Sequence, residues 1–186
     1  GINSRGQMAL SRKFVALLAM CTATLLGGSP AHAHPHVFAE AKLNLVLGAN
    51  GTVDKLSHVW VFDDVFSSTV LVEFDTNQDL KLDENELKEV QSTIVDSIGE
   101  YNYFQTIQNN GTEVKMSRPP NLTAKMDDQT LGISFDSAPE KPLPLKGTVS
   151  FGIYDPTFYT AIDFLEDADM NTGSLPSGCT AKVVRP

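Results

Sequence analysis

Residues 36–62 read HVFAEAKLNLVLGANGTVDKLSHVWVF, and this stretch decides the fold. His36 to Leu47 is rich in β-forming residues, Asn50-Gly51 is a tight-turn dipeptide, and Val53 to Phe62 resumes the β pattern. Two such runs flanking Asn-Gly spell an antiparallel hairpin, because Asn and Gly accept the left-handed backbone that a tight turn needs. A regular hairpin centred there pairs residues whose numbers sum to about 101. It sets His58 opposite Leu43 and brings His36 near Val65, hence near Asp63 and Asp64.

Downstream, Val65, Phe66, Val70, Leu71 and Phe74 fall at helical spacing, with Asp63 or Asp64 as N-cap. A polar loop begins at Asp75, and Leu87, Val90, Ile94 and Ile98 mark a second amphipathic helix. After Phe104 the pattern returns to strands, around Thr106, around Val114, and over 122–126, 130–136, 146–154 and 158–164. Asn110-Gly111 is a second hairpin turn, and Pro139, Pro142 and Pro144 form a stiff connector. The expected class is α+β: a β-sandwich-like sheet with an inserted EF-hand-like helical hairpin.

Upstream, Arg12 and Lys13 precede an uncharged, nearly all-apolar run from Phe14 to Leu26. Gly27 to Pro30 then break any helix, and Ala31-His32-Ala33 supplies the small residues that a signal peptidase accepts. This order is that of a secretory signal, and its apolar run is shorter than the roughly 20 residues that span a bilayer. The expected division is an N-terminal extension and cleaved signal over 1–33, with Met8 the first plausible start, then a single domain over 34–186. No stable membrane insertion is expected once the signal is removed. Localisation would be periplasmic.

The whole chain carries a formal charge of −9. Its leader holds Arg5, Arg12 and Lys13 and no acid, so removing it leaves eleven basic residues against 23 acidic ones, or −12. That balance disfavours nucleic acid and anionic membranes and favours cations. Cys179 is the one cysteine after the leader. An odd cysteine in an oxidising compartment is expected to pair outside this chain or with a missing C-terminal segment. No nucleophile–base grouping or glycine-rich phosphate loop is present, so no enzymatic activity is expected.

Two motifs point to metals. The first is Asp75-Thr76-Asn77-Gln78-Asp79-Leu80-Lys81-Leu82-Asp83-Glu84-Asn85-Glu86. Laid on the EF-hand loop, Asp75, Asn77, Asp79, Asp83 and Glu86 fill oxygen positions 1, 3, 5, 9 and 12, and Lys81 would lend its backbone carbonyl at position 7. Calcium would be the ion. Position 6, ordinarily Gly, is Leu80, where a left-handed backbone costs about 1–2 kcal/mol. Asp83 and Glu86 also fit a capping box for the second helix.

The second motif is the histidine cluster. Cleavage after Ala33 would expose His34-Pro35-His36, whose terminal amine and imidazoles suit Zn, Ni or Cu. Cleavage after Ala31 would instead expose His32-Ala33-His34, which can form an amide chelate that Pro35 forbids to the other terminus. The hairpin register ranks Asp63 or Asp64 above His58 as further ligands, since His58 lies roughly 23 Å along the strand.

Taken together, His34-Pro35-His36 after a leader, His58-Val59-Trp60-Val61-Phe62-Asp63-Asp64-Val65-Phe66-Ser67, the Asp75–Glu86 loop and Tyr154-Asp155-Pro156-Thr157-Phe158-Tyr159 resemble family 1007 of the domains of unknown function, periplasmic proteins of Gram-negative bacteria. The resemblance covers nearly all of residues 34–186. It departs at Leu80, where glycine is common, and in lacking a second cysteine near the C-terminus. Members are often encoded beside zinc, nickel or cobalt transport systems. The resemblance therefore implies a periplasmic accessory protein that buffers or delivers a transition metal to an inner-membrane transporter. Asp155 is either a further ligand or a turn former. Two other classes stand beside this reading: a histidine-brace copper redox protein, and an interaction module without metal.

Overall fold

The computed structural model describes residues 35–185; the leader and His34 lie outside the described residues. β1 (Val37–Leu47) alternates strictly, with Val37, Ala39, Ala41, Leu43 and Leu45 buried and Phe38, Glu40 and Lys42 exposed. That period of two makes one face core and the other solvent. β2 (Val53–Phe62) returns antiparallel and turns Leu56, His58, Trp60 and Phe62 inward. The pairing is Leu43 with His58 and Ala39 with Phe62, the register expected from Asn50-Gly51. A shift between Val46 and Leu47 and a turn closed by Gly48 N–H donating to Thr52 O (2.8 Å) make the connection wider than a two-residue hairpin.

α1 (Asp64–Phe74) begins at Asp63, whose carboxylate accepts the Phe66 N–H. It buries Ser67 and Val70 and packs Phe66 and Phe74 against the core. Val65, expected in the apolar stripe, is 74% exposed. Phe66, Val70 and Phe74 recur at i, i+4 and i+8 and take the inward face, which leaves no room there for their neighbour. α2 (Glu84–Gly99) starts at a complete capping box of Asp83 and Glu86 and buries Val90, Val95 and Ile98.

The remaining strands are β3 (Gln105–Asn109), β4 (Thr112–Val114), β5 (Thr123–Asp127), β6 (Thr130–Ser137), β7 (Val149–Ile153), β8 (Thr160–Asp163) and β9 (Met170–Asn171). A six-stranded sheet runs β5-β6-β2-β1-β8, with β9 also on β1, and a three-stranded sheet runs β4-β3-β7. β8 and β9 pair parallel to β1. The result is an α+β fold, sandwich-like with two sheets and mostly strand. Trp60, Leu56, Leu131 and Ile133 of the large sheet meet Ile107 of the small one in the core, closed by Met116 and Leu143 from connecting segments. Leu143 lies in the proline-rich connector, whose carbonyl takes the Val53 N–H at 2.9 Å. No helix among the described residues is long and apolar enough to cross a membrane.

Candidate functional site: the inter-helix loop and the β1–α1 corner

Between the helices the chain makes two left-handed residues, Gln78 (φ 59°) and Leu80 (φ 64°). The Asp75 carboxylate organises them, accepting from Leu80 N–H at 2.8 Å and Asp79 N–H at 3.2 Å. Asn77 Oδ1 accepts from Asp79 N–H (2.9 Å) and Asp79 Oδ1 from Lys81 N–H (2.9 Å). Alternate side chains thus fold back onto the turn, and Leu80 takes the backbone that glycine would adopt freely. Leu82 packs against the core while Leu80 stays exposed.

The C-terminal half of this loop is committed to α2. Asp83 Oδ1 accepts from Asn85 N–H (2.8 Å) and Glu86 N–H (2.9 Å). Glu86 is buried and accepts from Asp83 N–H on one oxygen and from both Thr76 N–H and Thr76 Oγ–H on the other, all at 2.9 Å. The Asp83 amide is the main reason its carboxyl is held below the usual range, with Thr76 adding to it against the opposing effect of desolvation. The donor set is hard oxygen and suits calcium in kind. A bidentate Glu86 would have to release these amides.

The second cluster lies where β1 and α1 begin. Phe38 N–H donates to Asp63 Oδ2 at 2.7 Å, Asp63 N–H donates to Phe38 O at 2.9 Å, and Phe66 N–H donates to Asp63 Oδ1 at 2.9 Å. Partial desolvation raises the Asp63 pKa, but the amides of Phe66, Phe38 and Val65 outweigh it and hold the carboxyl below its ordinary range. His36 sits two residues from Phe38, its N–H donating to Tyr159 O at 2.8 Å and its ring 5.2 Å from that of Tyr159. His36 and Asp64 are exposed. His36 thus lies two residues before the Phe38–Asp63 contact, and no hydrogen bond or ion pair among the described residues joins its ring to Asp63 or Asp64; His34 lies outside the described residues.

His58 is elsewhere. It is 1% exposed, stacked on Phe135 at 4.4 Å between ring centroids, with Nε2 2.8 Å from Gln105 Oε1. The Gln105 amide nitrogen donates to Ser137 Oγ at 3.0 Å, so Oε1 is the acceptor and His58 Nε2 carries the proton. Ser137 Oγ–H passes the chain on to Ser117 O at 2.8 Å. His58 Nδ1 and Trp60 Nε1 are buried without a protein partner. Burial pushes the imidazole down to about 4 against the favourable Gln105 bond. Its inward parity on β2 makes it a core residue apart from His36 and Asp63. No sequence signal announces the Gln105–Ser137 relay, because its members meet only across two sheets.

Asp155 resolves as a turn former. It is buried and accepts from Thr157 N–H (2.8 Å), Thr157 Oγ–H (2.6 Å) and Thr160 N–H (2.9 Å). Lys81 joins the inter-helix loop through its backbone N–H to Asp79 while its side chain is exposed, and Cys179 is a half-buried free thiol. Among the described residues, no three His, Cys, Asp or Glu side chains gather closely enough to hold a metal ion.

An α+β protein with two sheets, a capped helix pair and oxygen-rich loop turns is the class that fold and site define. The chain belongs to the family described as "Protein of unknown function (DUF1007)", which it matches over residues 18–186. It is similar to an uncharacterized protein of Haemophilus influenzae, 28% identical over 156 residues that cover 83% of this chain and 74% of the relative. No solved structure matches it.

Proposed function

We propose that this is an exported, periplasmic metal-binding accessory protein whose Asp75–Glu86 loop takes calcium and whose processed N-terminus takes a transition metal for an inner-membrane transporter. The observation that carries it is the left-handed Leu80 pinned by the Asp75 carboxylate, since a bulky residue in that backbone is tolerated only where the loop geometry demands it. In this reading the helical hairpin is EF-hand-like. Asp75, Asn77, Asp79, Asp83 and Glu86 supply side-chain oxygens and Lys81 its carbonyl. Calcium replaces the amide donors that now satisfy these oxygens, and the competition with the capping box keeps affinity modest.

The transition-metal arm uses His34 and His36 with the free amine, and Asp63 or Asp64 from the adjoining corner. Nitrogen donors beside a carboxylate suit Zn, Ni or Cu. Calcium and transition metal thus use separate donor sets, the first stabilising the helix pair and the second carrying the cargo. The deciding experiment is elemental analysis of natively exported protein, followed by calcium and zinc titration. Metal-free protein that neither ion stabilises overturns the proposal.

A further inference from the structure

The solvent face of the large sheet is unlike its surroundings at the β8 edge. Phe38 (55% exposed) and Val61 (41%) stand on adjacent strands, and Tyr159 (55%) continues the patch beside His36. Phe158, 68% exposed, adds a second aromatic from the preceding turn. Its φ is 60°, a backbone that bulky residues avoid. The three hydrogen bonds to the Asp155 carboxylate and the Phe158 N–H donating to Asp155 O hold this turn in place. Phe158 gains no burial from being held so, and its ring is offered to solvent.

Charge completes the pattern. Glu40 pairs in register with Asp163 on parallel neighbouring strands, which sets two carboxylates on the same face. Like charges facing each other across strands repel. Elsewhere on this sheet the basic residues are matched: Lys42 with Asp169, Lys55 with Asp136, Lys125 with Asp127. Glu40 and Asp163 make no ion pair with any described residue. A cationic side chain placed between them cancels the repulsion, while Phe38, Val61, Phe158 and Tyr159 accept apolar anchors alongside. The net negative charge of the chain steers the same kind of partner toward it.

We propose that this face, Phe38, Val61, Phe158 and Tyr159 beside the in-register carboxylates of Glu40 and Asp163, docks a basic amphipathic segment of another protein. A simple cation would leave the aromatics unused, and a purely apolar partner would leave two carboxylates facing each other. The inference stands independently of the metal sites.

The test uses a short synthetic peptide alternating Lys with Leu or Phe, and a counterpart with Glu at every Lys. Calorimetry against the purified chain should show binding of the Lys peptide that weakens with salt. Phe38→Ser and Tyr159→Ser should each weaken it about tenfold, as anchors at a contact centre do. Both side chains are exposed, so the variants should melt as the parent does. Glu40→Gln and Asp163→Asn should weaken binding and flatten its salt dependence, whereas Glu113→Gln, on the small sheet, should change neither. The proposal falls if the Glu peptide binds equally well, if Glu113→Gln weakens binding as much as Glu40→Gln, or if Phe38→Ser leaves affinity unchanged. It falls equally if sedimentation shows a dimer of the chain that Phe38→Ser dissolves, which would make a second copy the occupant.

Discussion

His58 Nε2 on β2 lies 2.8 Å from Gln105 Oε1 on β3, so the core histidine ties the large sheet to the small one. Gln105 passes the bond to Ser137 and Ser137 to the backbone of Ser117, a one-way chain of donors through the interior. Protonating Nδ1 would add a second buried donor without a partner to a core in which Trp60 Nε1 is already one.

That relationship sets a pH dependence. The imidazole pKa is lowered from 6.5 to about 4 on folding, so the unfolded chain binds the extra proton first. Above 6.5 both states are neutral and the group contributes nothing; as pH falls from 6.5 toward 4, stability is lost. At about 1.4 kcal/mol per pH unit, the loss reaches about 3 kcal/mol. Urea denaturation at stepped pH should show it, and His58→Leu should flatten the curve in this window. The carboxyls of Asp63, Glu86 and Asp136 are all held low, so their stabilisation is present above their unfolded pKa and is lost only at more acid pH. An unchanged pH slope in His58→Leu would remove His58 as the cause.

Calcium should raise the melting temperature. Glu86→Gln separates the two roles of that residue, since a capping box accepts Gln at this position but a bidentate calcium ligand cannot be an amide. The variant should lose the calcium response, and without calcium it should be less stable by about 1 kcal/mol or more, because one side-chain oxygen can no longer accept from both Asp83 and Thr76. Leu80→Gly should add about 0.5–1 kcal/mol and tighten calcium by relieving the left-handed strain. Identical melting with calcium and with chelator would leave the loop as a helix cap alone.

The transition metal should depend on the terminus. Retaining Ala33 buries the amine in a peptide bond and should cost far more affinity than a distant surface change, as should His36→Ala. Asp63→Asn should weaken binding moderately, and His58→Ala should leave it intact, because the ring lies in the core. Affinity should fall on acidification, because coordination needs a deprotonated amine and neutral imidazoles. Calorimetry with zinc, nickel and copper checks each variant. Equal binding by the extended terminus eliminates the amine as donor.

Capping can be read separately at Asp63. Asp63→Ala removes the acceptor for both Phe66 N–H and Phe38 N–H and should cost about 1–2 kcal/mol, whereas Asp63→Asn keeps one acceptor oxygen, can satisfy only one of the two amides, and should cost less. Chemical denaturation without metal measures this; equal losses in both would mean that a single remaining acceptor does not hold the corner.

Maturation is checked by intact mass. Exported protein should begin at His34, with His32 as a minor form. A secreted form retaining residues 8–31 would contradict the signal-peptide reading.

Much of the architecture was legible locally. Alternation along 37–62 assigns the buried face, Asn50-Gly51 sets the register, and Asp63 and Asp83 announce both helix starts, because each effect acts within a few residues. Partner choice between distant strands is not local. Nothing in residues 160–171 says that β8 and β9 would run parallel to β1, or that the strands after Phe104 would divide between two sheets. The same limit governs the sites. The hairpin alone puts the Phe38 backbone against Asp63, but only closure of the small sheet over β2 buries His58 against Gln105. Whether a polar side chain becomes a ligand or a core residue depends on what covers it, and that is decided by tertiary packing.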